Sequence, residues 1–229
     1  MKRLAYGFLA AGFIIYGCSG SKEADKETNA AAEYKYLTTD KVEAICANID
    51  NSLECAKAVE NIQIKKYSAN VKRNGPILSL NAEKGSPIVF NDTEDTFYSF
   101  VDYFQSIGYY VVLTHSFESY NYTLVNAKTK KSFAVNGFPV LSPDSKRIAA
   151  ASLDLEAGYM PNSFQIWKVD GDRLAMEYSI EPKEWGPSKP VWLTSTSLSF
   201  KINTLQEDYS VTATEARLVK SGDYWTIKK

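Results

Sequence analysis

From Val71 to the end of the chain, apolar and polar residues alternate in short runs, with a turn signal about every 8–12 residues. Period two is the signature of a strand with one buried face, and the short intervals leave no room for the crossover helices of a parallel sheet. Strands are expected at Ile77–Leu80, Ile88–Phe90, Thr96–Phe104, Tyr109–Phe117, Tyr120–Asn126 and Ser132–Val135. Others follow at Arg147–Ser152, Ser163–Val169, Arg173–Ile180, Val191–Thr194, Leu198–Ile202, Tyr209–Leu218 and Tyr224–Ile227. Asn74-Gly75 is a hairpin signal, and Lys128-Thr129-Lys130 makes a tight turn. Fifteen Tyr, eleven Phe and four Trp lean the same way. The expected fold is mainly β: an antiparallel sandwich, barrel or propeller.

The N-terminus carries an address. Lys2 and Arg3 precede an apolar stretch, Leu4 to Tyr16, whose 13 residues are too few to span a hydrocarbon core of about 20 residues. The stretch ends in Ile15-Tyr16-Gly17-Cys18, which resembles the bacterial lipobox. The resemblance implies that residues 1–17 are a signal peptide and that Cys18 is acylated and becomes the mature N-terminus. An ordinary secretory signal and an uncleaved anchor are the alternatives. By the sorting rule of Gram-negative lipoproteins, Ser19 implies the outer membrane, facing the periplasm. Residues 18–33 are polar and small and read as a solvated tether. Loss of residues 1–17 leaves 24 basic against 27 acidic residues and no basic block, which argues against nucleic acid as a partner.

Residues 34–70 read as helical. Asp40-x-x-Glu43 has the form of a capping box, with Val42, Ile45, Cys46 and Ile49 following at helical spacing. Asn51-x-x-Glu54 reopens a helix that carries Cys55, Val59 and Ile62 on one face. In an oxidising compartment Cys46 and Cys55 are most simply a disulfide stapling a helical hairpin, with two free buried thiols as the alternative. One continuous helix would hold them about 13 Å apart, beyond the roughly 7 Å a disulfide tolerates.

One stretch has a family likeness. It runs from Tyr122 through Gly137-Phe-Pro-Val-Leu-Ser-Pro-Asp-Ser-Lys-Arg-Ile-Ala to Phe164-Gln-Ile-Trp-Lys-Val and Asp170-Gly171-Asp172. It resembles a blade of the β-propellers of the WD40 and TolB-like type, with Ser145 in place of the usual Gly. The resemblance implies a turn at Pro143-Asp144-Ser145 and a Trp167 packed between sheets. Residues 71–229 have room for about four blades of about 40 residues. Both a closed propeller and a partial, open set of sheets fit that length.

No G-x-S-x-G, phosphate-binding loop or dinucleotide fingerprint occurs. His115 is the only His, which rules out a multi-His metal site, and it reads as a strand residue facing solvent or a neighbour rather than a general base. Asn91-Asp92-Thr93-Glu94-Asp95 has oxygen ligands suited to Ca²⁺ but reads as a solvated turn. No cofactor is expected. Asp154 and Glu156, two apart in a loop, are the acidic pair best placed for function. Tyr159 and Trp185 lie in loops with Gly and Pro and are candidate binding anchors, whereas Trp167 and Trp192 read as core. The leading expectation is a non-enzymatic envelope lipoprotein whose β domain (71–229) binds a protein partner or an envelope component, an immunity or inhibitor role being one version. The alternatives are an envelope glycan hydrolase using Asp154 and Glu156, and a structural or assembly accessory.

Overall fold

The computed structural model describes residues 35–116 and 119–228. The signal peptide, Cys18 and the tether lie outside them.

Two helices open the described chain, α1 (Thr39–Cys46) and α2 (Ser52–Lys66). Asn51 caps α2 as its sequence position implies, its Oδ1 accepting from the amides of Leu53 and Glu54. The cap of α1 is Thr38 rather than Asp40: Thr38 is extended and its Oγ1 accepts from the Lys41 amide. Helical backbone thus begins two residues early, and Asp40 supplies charge to the first turn instead. The break between the helices brings the Cα atoms of Cys46 and Cys55 to 5.2 Å, and the two are joined by a disulfide.

The rest is strand, in four antiparallel sheets whose strands run in chain order. Sheet A holds β1 (Val71–Asn74), β2 (Ile77–Leu80) and β3 (Ile88–Asn91). Sheet B holds β4 (Phe97–Phe104), β5 (Tyr109–His115), β6 (Tyr120–Asn126) and β7 (Ser132–Val135). Sheet C holds β8 (Phe138–Leu141), β9 (Arg147–Ser152), β10 (Ser163–Asp170) and β11 (Arg173–Ile180). Sheet D holds β12 (Gly186–Thr194), β13 (Ser197–Leu205), β14 (Val211–Ser221) and β15 (Tyr224–Lys228). Consecutive up-and-down meanders are the architecture of propeller blades.

The core shows how the sheets stack. One face of sheet B, with Phe100, Tyr110, Val112 and Val125, packs on Leu78 and Leu80 of sheet A. The other face, with Phe104, Tyr109, Val111 and Leu124, belongs to a larger core shared with sheets C and D, including Ile148, Phe164, Ile166, Phe200 and Leu218. Trp167 and Trp192 are both in that core, and the Trp192 indole donates to the Val140 carbonyl at 3.1 Å. A bulge at Val101 separates the two faces along β4. Among the described residues no core cluster joins sheet A to sheet D. Arg147 binds sheet C to sheet D: it pairs with Glu177 at 2.6 Å, donates to the Ser195 carbonyl and lies over the Trp225 ring.

One segment expected as a loop, Gly186–Pro190, is strand, and so is Phe138–Leu141, which precedes the turn at 143–145. Phe138–Leu141 contains Pro139, and Gly186–Pro190 contains Pro187 and Pro190. Both lie in the first strand of a sheet, at its edge, where proline is tolerated because one side of the strand carries no ladder. Gly137 makes the passage from sheet B to sheet C at φ +90°, with the Ala151 backbone where a Cβ would sit. Ser145 takes φ +58°, the conformation for which Gly is usual in that turn, and the Ser142 hydroxyl donates to Asp144 within it.

The exposed edge of β4 is closed by side chains. The Phe100 amide donates to Glu60 Oε1 of α2 and the Tyr98 amide to Asp92 Oδ1, both at 2.9 Å, while Arg73 donates to the Tyr98 carbonyl. Arg73 also holds both acids, at 2.8 Å from Glu60 and 2.9 Å from Asp92. Asp92 is therefore part of a partly buried ion network, while the rest of the 91–95 turn is exposed as expected. The physical reason is the Asn74-Gly75 hairpin, which folds Arg73 back against the end of β3.

Candidate functional site

Three of the four candidate binding residues share one loop, 153–162, between β9 and β10. Asp154 organises it. Its Oδ1 accepts from the amides of Ala157 (2.9 Å) and Gly158 (3.0 Å), and its Oδ2 from Met160 (2.9 Å). Asn162 closes the base, accepting from the Asp154 amide and donating to its carbonyl. The Met160 amide, helped by those of Gly158 and Ala157, outweighs partial burial and holds the Asp154 carboxyl below the usual range. Asp154 is thus a charged clamp on its own loop. Glu156 is exposed, and Tyr159 is 63% exposed.

Trp185 lies beside this loop in space. The next residue, Gly186, is packed so closely against Leu153 and Asn162 that a side chain there would collide with both. The Trp185 ring itself turns inward, half-buried, with its centroid 6.3 Å from that of Phe200. Of the candidate aromatics, Tyr159 alone is presented to solvent.

A second feature lies under the helical hairpin. An apolar pocket of about 190 Å³, open to solvent, lies between α2 and sheet B. Ala56 and Val59 line it from the helix and Val101, Leu113 and Tyr122 from the sheet, with Phe138 beside Tyr122 and Tyr120, 41% exposed, at the rim. Pairing is direct across β5 and β6: His115 faces Tyr120 and Leu113 faces Tyr122. The Tyr122 ring meets Phe138 edge-on at 5.6 Å. Ser99, also on the wall, already donates to the Ala56 carbonyl at 3.0 Å. His115 Nε2 is buried and meets no hydrogen-bond partner from the protein. Burial pushes the imidazole down from its ordinary value, so it is neutral at pH 7. Tyr120 is pushed up by burial and then by the charge of Asp154 on the 153–162 loop.

The sequence reads His115 as a strand residue facing solvent or a neighbour, and Tyr120 and Tyr122 only as strand residues. The signal was present as two period-two pairs, Leu113/His115 and Tyr120/Tyr122, on either side of a short connection. Reading that connection as a hairpin places the pairs opposite one another. What no local pattern could give is the helical lid, which arrives from a segment at least 50 residues earlier. Among the described residues no three His, Cys, Asp or Glu side chains converge as a metal cluster, and no helix is long and apolar enough to cross a membrane.

No protein family matches the chain, and no curated protein matches it in sequence. Among solved structures it is similar to the N-terminal domain of Nup159, at 11% identity and a TM-score of 0.38, over 69% of this chain and 46% of that one. The chain therefore spans just under half the length of that structure.

Proposed function

We propose that this protein is a bacterial envelope lipoprotein, anchored through acylated Cys18, whose β sheets bind a protein partner at the loop carrying Tyr159. One observation carries the reading. Tyr159 is 63% exposed on a loop tied by three bonds to Asp154 and two to Asn162. A large aromatic on a rigid loop loses little entropy on binding, which is what an interface anchor requires. An immunity or inhibitor role against an incoming envelope enzyme is one form of this function.

The test is cross-linking and capture from envelope extracts with wild type and Tyr159→Ala. The reading expects a specific partner whose capture falls at least about tenfold in the variant, as for an interface anchor. Equal capture by both proteins would remove Tyr159 from the interface. The anchor is tested separately: Cys18→Ser should move the protein to the soluble fraction, and its retention on membranes would overturn the lipid attachment.

A further inference from the structure

We propose that the open edge of β14 pairs with the same edge of a second copy of this chain, giving a two-fold dimer centred on Ala213. The inference goes beyond the partner surface at Tyr159 and does not rest on it.

The edge follows from strand lengths. β14 is paired with β13 from Val211 to Val219, whereas β15 covers only residues 217–221. Residues 211–215 are exposed, and among the described residues no strand lies on their outer side. Alternation of the ladder decides which backbone groups are left over. The Gln206 amide donates to the Ser210 carbonyl and the Lys220 amide to the Thr196 carbonyl. Even-numbered residues of β14 therefore bond to β13, and the N–H and C=O groups of Val211, Ala213 and Glu215 point to the open side. The edges at β8 and β12 carry proline and that at β4 is closed by side chains. Residues 211–215 have neither, and three of the five are β-branched.

Such a row of donors and acceptors is a template for one more strand. A second copy fits it in a particular register. Antiparallel pairing about Ala213 sets Ala213 opposite itself and Val211 opposite Glu215, so outward groups meet outward groups. The same register sets Tyr209 opposite Arg217 of the second copy. The acidic tip Glu207-Asp208 then lies beside Arg217 and its strand neighbour Lys228 of the second copy, and the contact occurs twice. Within each copy Glu215 already faces Lys201. Tyr209 sits at that tip with φ +63° and is 79% exposed. The turn thus holds a bulky residue in a strained conformation and presents its ring where the second copy arrives. Five paired residues make a small interface, so association should depend on concentration.

The experiment is oxidation of purified full-length protein at rising concentration, read on non-reducing gels. Facing Cα atoms of a hydrogen-bonded antiparallel pair stand about 5.5 Å apart, within disulfide reach. Ala213→Cys should give a linked dimer that wild type does not. Glu215→Cys should not, because its two copies would stand about 13 Å apart along the strands. In the Ala213→Cys background, Arg217→Glu should cut the dimer about tenfold, since like charges then meet. Adding Asp208→Arg to that variant should recover dimer. Sedimentation of wild type reads the same association without a new cysteine. Wild type that stays monomeric at every concentration, as it would if the edge served only a foreign strand, would overturn the proposal. So would equal linking of Ala213→Cys and Glu215→Cys, or no recovery in the charge swap.

Discussion

Replacing Arg73 with Met removes the only cation from a group of charges that closes an open sheet edge. Side-chain exposure is 16% for Arg73, 5% for Glu60 and 12% for Asp92. The substitution keeps the aliphatic stem and removes the guanidinium. Glu60 and Asp92 retain their bonds to the Phe100 and Tyr98 amides but lose their counter-charge, and the Tyr98 and Pro76 carbonyls each lose a donor. Breaking a buried pair by removing one partner costs about 3–5 kcal/mol. Residual exposure of Arg73 favours the lower end, about 3 kcal/mol. For a domain of this size that lowers Tm by about 6–12 °C. Urea unfolding measures it, and a cycle with Glu60→Gln isolates the coupling. The single variant should shift the midpoint with m unchanged. A loss under about 1 kcal/mol, the range of exposed pairs, would refute the claim that the network is a buried cap of β4.

Three further outcomes follow from the geometry. Replacing Cys46 and Cys55 by Ser should cost about 2.5–3 kcal/mol on the chain-entropy estimate for a loop of this length, read by denaturant unfolding of the double variant. Gly137→Ala demands a positive φ of a residue with a Cβ and drives that atom into the Ala151 backbone, so a loss above about 2 kcal/mol is expected, visible as a drop in Tm. Burial acts to raise the Glu177 carboxyl, but bonds and charge from Arg147 and Lys220 outweigh it and hold it below its ordinary value. That stability is present in full above the unfolded-state value and is lost as pH falls through the folded one. Glu177→Gln should therefore flatten the decline in stability below about pH 4, measured by thermal melts from neutral to acid pH.

Most strands were legible because their alternation answers directly to one buried face. Tyr120–Asn126 and Ser132–Val135 fall where the pattern puts them. Pro187 and Pro190 hid the first part of β12, since proline reads as a breaker until the strand is known to lie at an edge. The disulfide was legible from the break at Asn51, which turns two distant positions on one helix into neighbours on two. Asp92 was misread because its partner, Arg73, is 19 residues away and meets it only after a hairpin folds. The 153–162 loop was recognisable by its acids, but the role of Asp154 as a clamp depends on backbone amides, which composition does not display. The cavity was least legible: its walls come from both helices and from sheets B and C, and each contributes one ordinary-looking apolar residue at a time.

Every sheet is made of strands that are contiguous in the chain. Among the described residues no sheet borrows a strand from the other end of the chain, so no strand latch joins the first of these strands to the last. Each meander can form from its own local contacts and needs only its immediate neighbours for support, which makes the sheet, and not the whole domain, the unit of gain and loss. In such an arrangement opening starts from the two outer sheets, and sheet B, covered on both faces and roofed by the stapled helices, is the last part to yield.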